Sequence, residues 1–258
     1  FGRKRRIDQS SCNKDFSCVK GFCPSFVWVE GAELVTAEDA HIDIDAMVAK
    51  LTAPRPDVPT ATRNLLIAGI GGMGVTTVGA VLAMAGHIDG LNVTTLDVTG
   101  LAQKNGPVTS HVRFAPKGRD IEGARIPTAS VDVLLAADML VACSADVLGL
   151  ADFGRTSTVA NTHVAPTAEF VMKQTLSYEE ARLKKTLAEG SRAFTAIDAA
   201  DLAERLMGDA LFTNIMLAGA AWQRGEIPLS YEAIETAIRM NGAAVEKNLK
   251  AFAVGRVA

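Results

Sequence analysis

Aromatic residues, net charge and long apolar runs are all scarce in this 258-residue chain. Aromatic side chains account for 5% of it against 48% hydrophobic residues overall, so the core must be built mainly from Ala, Val, Leu and Ile. Such a core suits helices packed on a parallel sheet. No apolar run approaches the roughly 20 residues that cross a bilayer, which argues against a membrane partner. The formal charge of −3 gives no electrostatic basis for binding nucleic acid, and Arg3-Lys4-Arg5-Arg6 is a short solvated run. No signal peptide is visible, so a cytoplasmic location is expected. No internal repeat is visible, and no pair among His41, His87, His111 and His163 has a metal-binding spacing.

Cysteine is also sparse, but three of the four stand between residues 12 and 23. Cys12, Cys18 and Cys23 form C-x5-C-x4-C followed by Pro24, a pattern suited to thiolates converging on an iron–sulfur cluster. Three thiolates do not fill a four-thiolate site, and the bland alternative is free thiols in a loop. Residues 1–31 are therefore expected to be a truncated ferredoxin-like segment that binds no cluster alone. The chain opens on Phe1-Gly2-Arg3 and reads as a piece of a longer polypeptide. Residues 32–62 are expected to hold a short helix, with Ile42, Ile44, Met47, Val48 and Leu51 on its apolar face, and then a linker. Pro54, Pro56 and Pro59 make that linker semi-rigid and extended.

From residue 63 to 258 the pattern alternates between strand and helix, which predicts a three-layer α/β/α domain with a largely parallel, Rossmann-like sheet. Leu65 to Ala68 reads as a strand, Val75 to Ile88 as a helix and Val93 to Leu96 as a second strand closed by Asp97. Val108 to Phe114 is another strand. Residues 131–137 are expected to be helical, and the apolar run Met139 to Ala142 a buried strand ending at a core cysteine, Cys143. Thr156 to Ala160 and Phe194 to Ile197 complete the strands. Ser177 with Glu180 forms a capping box for a helix that stops at Gly190. Asp198 starts the next helix and Gly208 closes it. Residues 211–222, 231–240 and 243–252 read as the final helices.

Two stretches carry the chemistry. Gly69, Gly71 and Gly74 satisfy G-x-G-x-x-G between a strand and a helix, where backbone N–H groups meet an anion. Asp97 then falls where a ribose-binding acid belongs, which makes a free-standing NAD(P)-binding oxidoreductase one reading. The other is that the glycines merely let the helix pack closely. A nucleoside-triphosphate loop is excluded because Val75 stands where its lysine is required. The second stretch, Gly100-Leu101-Ala102-Gln103-Lys104-Asn105-Gly106, continues to Ser110-His111-Val112-Arg113. Its density of polar groups suggests a loop that meets a ligand or partner at the same strand-end crevice. His163 lies just past a strand and is expected to be structural first, with reach to that crevice second. No nucleophile–base pair is spaced as a catalytic dyad, so no catalytic residue is assigned.

Together these two motifs resemble the gamma-type domain of 2-oxoacid ferredoxin oxidoreductases. Phe1 to Ser25 and Asn161-Thr162-His163 bring the resemblance closest to the fused indolepyruvate ferredoxin oxidoreductases. The resemblance implies an enzyme that decarboxylates a 2-oxo acid oxidatively on thiamine diphosphate with a divalent metal. Electrons would leave through 4Fe-4S clusters to ferredoxin, and the acyl group would pass to coenzyme A. The thiamine motif Gly-Asp-Gly…Asn-Asn is absent from this sequence, so thiamine-bearing domains of the same enzyme are the implied partners. The chain alone would be inactive and bind no cofactor. Its implied share is the coenzyme A side of the cleft and domain docking, through Gly69, Gly71, Gly72, Gly74, Thr76, Thr99, Gly100, Gln103, Lys104, Asn105 and Ser110. A purely non-catalytic interaction module is the remaining alternative.

Overall fold

A computed structural model describes residues 17–21, 29–31, 42–55, 58–100, 106–165, 173 and 179–258. Six strands form one sheet: β1 (Arg63–Ile70), β2 (Asn92–Thr99), β3 (Pro107–Ala115), β4 (Val133–Ala136), β5 (Ser157–Asn161) and β6 (Ala193–Ile197). Their spatial order is β2-β3-β1-β4-β5-β6. The pairs β1–β4, β4–β5 and β5–β6 are parallel, while β3 runs antiparallel to both β1 and β2.

Side chains alternate across β1 as a strand requires. Leu65 and Ile67 enter one core, Leu66 and Ala68 the other. The first core is covered by α2 (Val75–Ile88), α6 (Ala199–Met207), α7 (Thr213–Gln223), α8 (Tyr231–Asn241) and α9 (Val245–Val257). The second is covered by α3 (Met139–Ala142), α4 (Ala145–Leu148) and α5 (Glu180–Glu189). The architecture is thus the three layers anticipated. The short helix α1 (Ile44–Val48) buries Ile44 in the first core, and Gln223 Nε2 holds the Thr52 carbonyl at 2.7 Å, so the segment before β1 lies against the domain.

Two neighbouring elements are exchanged relative to the sequence reading. Residues 133–136, within the expected helix, form β4, buried on both faces in the middle of the sheet. A strand in that position carries a continuous apolar run with no alternation to reveal it. Met139–Ala142, expected as a strand, is one helical turn started by Asp138, whose side chain accepts from Val141 N. Cys143 accordingly stops a helix rather than a strand. The second strand also runs past Asp97 to Thr99. Helix α5 stops at Gly190 as expected, while Ser177 lies outside the described residues.

Three of the aromatics meet where three helices come together. Trp222, Tyr231 and Phe252 stand with ring centroids 5.7 to 6.2 Å apart, and Arg256 lies 4.9 Å over the Trp222 ring. Backbones approach still closer at Gly219 of α7 and Gly255 of α9. A methyl group at Gly219 would collide with the Phe252 carbonyl, and one at Gly255 with that of Met216.

Candidate functional site

The carboxyl ends of β1, β4, β5 and β6 and the start of β3 all reach one edge of the sheet. The glycine turn lies there. Its glycines answer two different demands. A Cβ on Gly69 would come within 2.8 Å of Val75 Cγ2 and 3.0 Å of Ala137 Cβ, so this glycine serves close packing of helix on strand. Gly72 and Gly74 have φ of 91° and 77°, with open space where a Cβ would be. They serve backbone conformation. Gly74 is the N-cap of α2 and no side chain caps that end. First-turn N–H groups of a 14-residue helix are left available to an anion, with Thr76 half-buried among them.

The polar loop joins the same place. Gly71 N–H donates to Gly106 O at 2.8 Å, and Gly100 N–H to Pro107 O at 3.3 Å. Thr99 and Gly100 are exposed at its base. Gln103, Lys104 and Asn105 lie outside the described residues, as do Cys12 and Cys23. Cys18 falls in a 3-10 turn, Ser17–Lys20. Among the described residues no cluster of three His, Cys, Asp or Glu could hold a metal. Ser110 sits deeper than a loop ligand: it is 1% exposed beneath Gly79 of α2, and its hydroxyl has no hydrogen-bond partner.

Asp97 stands apart from the turn. Because β3 is inserted between β1 and β2, Asp97 pairs with Ser110 and lies two strand spacings, about 10 Å, from β1. A dinucleotide fold needs that acid on the adjacent parallel strand. His111 is 2% exposed; its Nδ1 accepts from Ile126 N–H at 3.3 Å, and burial depresses its pKa. It is a satisfied core residue. His87 occupies the last turn of α2. Burial pushes the Cys143 thiol pKa up, which keeps it protonated beside the Leu183 carbonyl.

Three side chains at this edge of the sheet were not singled out as site residues. Asn214, inside the apolar helix α7, sends Nδ2 to the Met73 carbonyl at 2.6 Å and braces the glycine turn. Asn161 is 4% exposed and links Ala137 O, His163 O and Ala200 N, tying the ends of β4 and β5 to the start of α6. Asp138 follows β4, with its N–H on Ala68 O at 3.2 Å and its carboxylate capping α3. Burial raises the Asp138 pKa, against the opposing pull of backbone N–H groups and His163. A lone Asn in an apolar helix and an Asp before an apolar tetrad were the available signals.

The molecule is thus a three-layer α/β protein in which a glycine turn and the uncapped N-terminus of α2 stand at the strand-end edge of the sheet. Residues 64–258 match the family described as pyruvate ferredoxin/flavodoxin oxidoreductase, and the chain belongs to that family. It is similar to the indolepyruvate oxidoreductase subunit IorB of Archaeoglobus fulgidus, with 31% identity over 198 residues, 74% of this chain and 92% of that one. Among solved structures it resembles the pyruvate oxidoreductase subunit PORC of Thermotoga maritima, with a TM-score of 0.55 and 19% identity over 76% of this chain and 96% of that chain. A 2-oxoglutarate:ferredoxin oxidoreductase from Magnetococcus marinus gives a TM-score of 0.56 at 18% identity, over 77% of this chain and 31% of that one. Both structural likenesses speak for the fold.

Proposed function

We propose that this chain is the gamma-type part of an indolepyruvate-type 2-oxoacid ferredoxin oxidoreductase and forms the coenzyme A side of its cleft. Support comes from the similarity to IorB and from one observation above all: the open N-terminus of α2 is joined to the polar loop through the Gly71–Gly106 hydrogen bond. The Magnetococcus marinus enzyme, part of whose fold this chain resembles, is described with coenzyme A bound.

A pyrophosphate fits the donors present. First-turn N–H groups and the helix dipole favour an anion there, and Gly72, exposed and lacking a side chain, leaves room for its approach. Coenzyme A supplies the thiol that accepts an acyl group. This chain's own work is to bind and orient: Asn214 braces the glycine turn and Asn161 the ends of β4 and β5. The thiamine diphosphate and its metal would be held by partner domains, since the sequence has no Gly-Asp-Gly…Asn-Asn pair. Cys12, Cys18 and Cys23 fall one thiolate short of a 4Fe-4S set, so no electron-transfer step is assigned to this chain. Turnover then requires the assembled enzyme, with ferredoxin as acceptor.

Kinetics of the assembled enzyme test the proposal. Lys104→Ala is expected to raise the KM for coenzyme A about tenfold, the loss of one charge-assisted contact, while leaving assembly and the KM for the 2-oxo acid unchanged. An unaltered KM for coenzyme A would overturn it.

A further inference from the structure

At the opposite edge of the sheet, where the parallel strands begin, a cavity of about 240 Å³ opens between Arg63, Asp132, Ser157, Arg192, Arg224 and Glu226. Arg63 begins β1, Asp132 precedes β4, Ser157 begins β5 and Arg192 precedes β6; Arg224 and Glu226 lie in the turn after α7. None of these residues touches the glycine turn, and the cavity does not depend on the coenzyme A reading.

Charge in this cavity is unbalanced. Asp132 is already saturated: it accepts Asn64 N–H at 2.7 Å and Arg155 Nε and Nη2 at 2.8 and 3.0 Å. Arg63 reaches it only at 3.6 Å. Arg192 has no carboxylate partner among the described residues. It spends Nε–H on the Arg155 carbonyl and one Nη2 proton on Ser157 Oγ, itself 1% exposed. Arg224 uses Nε alone, on Glu226 Oε1 at 3.1 Å. Three guanidiniums (Arg63, Arg192, Arg224) against two carboxylates (Asp132, Glu226) line the cavity, and Arg155 behind Asp132 also faces Asp152, which leaves a surplus of one positive charge in a chain whose net charge is −3. Arg192 and Arg224 are exposed and Arg63 is half-buried, yet all three converge on one open cavity, with Arg192 fixed in direction by the Ser157 hydroxyl and the Arg155 carbonyl.

We propose that this cavity binds a small dianion, either a phosphate monoester or a short dicarboxylate. Guanidinium forks match the oxygens of both, three arginines can share two negative charges with the lining's net positive charge behind them, and the volume admits a small metabolite but not a polypeptide strand. The Ser157 hydroxyl adds a buried donor on the floor.

Calorimetric titration of the whole protein with inorganic phosphate, above its second pKa, and with succinate and acetate tests this. One or both dianions should bind at least about tenfold more tightly than acetate, and the stronger of the two names the source. Arg192→Ala should remove that binding and Arg192→Lys should restore it only in part. Arg63→Ala should weaken it independently, which guards against a local rearrangement at Arg192. The proposal is overturned if acetate binds as well as both dianions, if no anion binds, or if phosphate binding survives both alanine substitutions, which would place the anion at another site such as the α2 N-terminus. Far-ultraviolet circular dichroism of each variant verifies that the fold is retained.

Discussion

Asp138 shows how a single side chain can hold the crevice together at a cost. Its carboxylate caps α3 and its backbone anchors to Ala68, yet burial raises its pKa from the ordinary 3.8. The folded state therefore binds the proton more tightly than the unfolded chain. As pH rises past 3.8 the unfolded chain ionises first and stability falls, until the raised folded pKa is passed and the full penalty remains. Asp138→Asn keeps the oxygen that accepts from Val141 and removes the charge. Thermal unfolding of both proteins across the acid-to-neutral range should show the variant gaining on the parent as pH rises, with no difference at the acid end. A variant less stable than its parent at neutral pH would mean that the carboxylate is ionised and paired in the folded state.

Asp97 makes the complementary point. Sequence position suggested a ribose ligand; the sheet places it opposite Ser110, in the edge strand. Titration with NADH is expected to give no binding in the micromolar range, and Asp97→Ala to change nothing.

At the scale of elements, glycine marks two different physical demands. Gly255 lies where α9 crosses α7 with its Cα against the Met216 backbone, so Gly255→Ala must push two helices apart. Overpacking of this kind costs about 1–3 kcal/mol or more. Gly72→Ala meets no atom and pays only for its φ of 91°, about 1–2 kcal/mol. Urea unfolding of the two variants should rank Gly255→Ala as the more damaging, while a ligand assay on the assembled enzyme should rank Gly72→Ala as the more damaging there.

Elements with periodicity or explicit stops were legible in the sequence. Helix α2 runs from Val75 to Ile88 as read, because its apolar face repeats at helical spacing and Gly90 follows. Residues 133–142 were not, because ten nearly uniform apolar residues carry neither period, and only Asp138 divides strand from helical turn. The insertion of β3 between β1 and β2 was equally hidden: local pattern specifies that a strand exists, and long-range pairing decides its neighbour. At the crevice, the turn and loop were visible as motifs, whereas Asn214 acts on Met73 from 141 residues away.

For the molecule as a whole, the two edges of the sheet are chemically unlike. One edge offers glycines, an open helix terminus and buried amides; the other offers guanidiniums around an open cavity. Core layers on both faces of the sheet lie between them, so a ligand at one edge makes no contact with the other.

The antiparallel strand β3 has a mechanical consequence. Its register matches eight residues of β1 on one side and eight of β2 on the other. The loop at the crevice is the bend of that hairpin, so tension applied there by a moving neighbour runs along the strand axes. Such a load is shear: it stresses many hydrogen bonds at once, whereas peeling an edge would break them one by one. A pull that would unzip a strand held only at its edge is instead transmitted to the centre of the sheet.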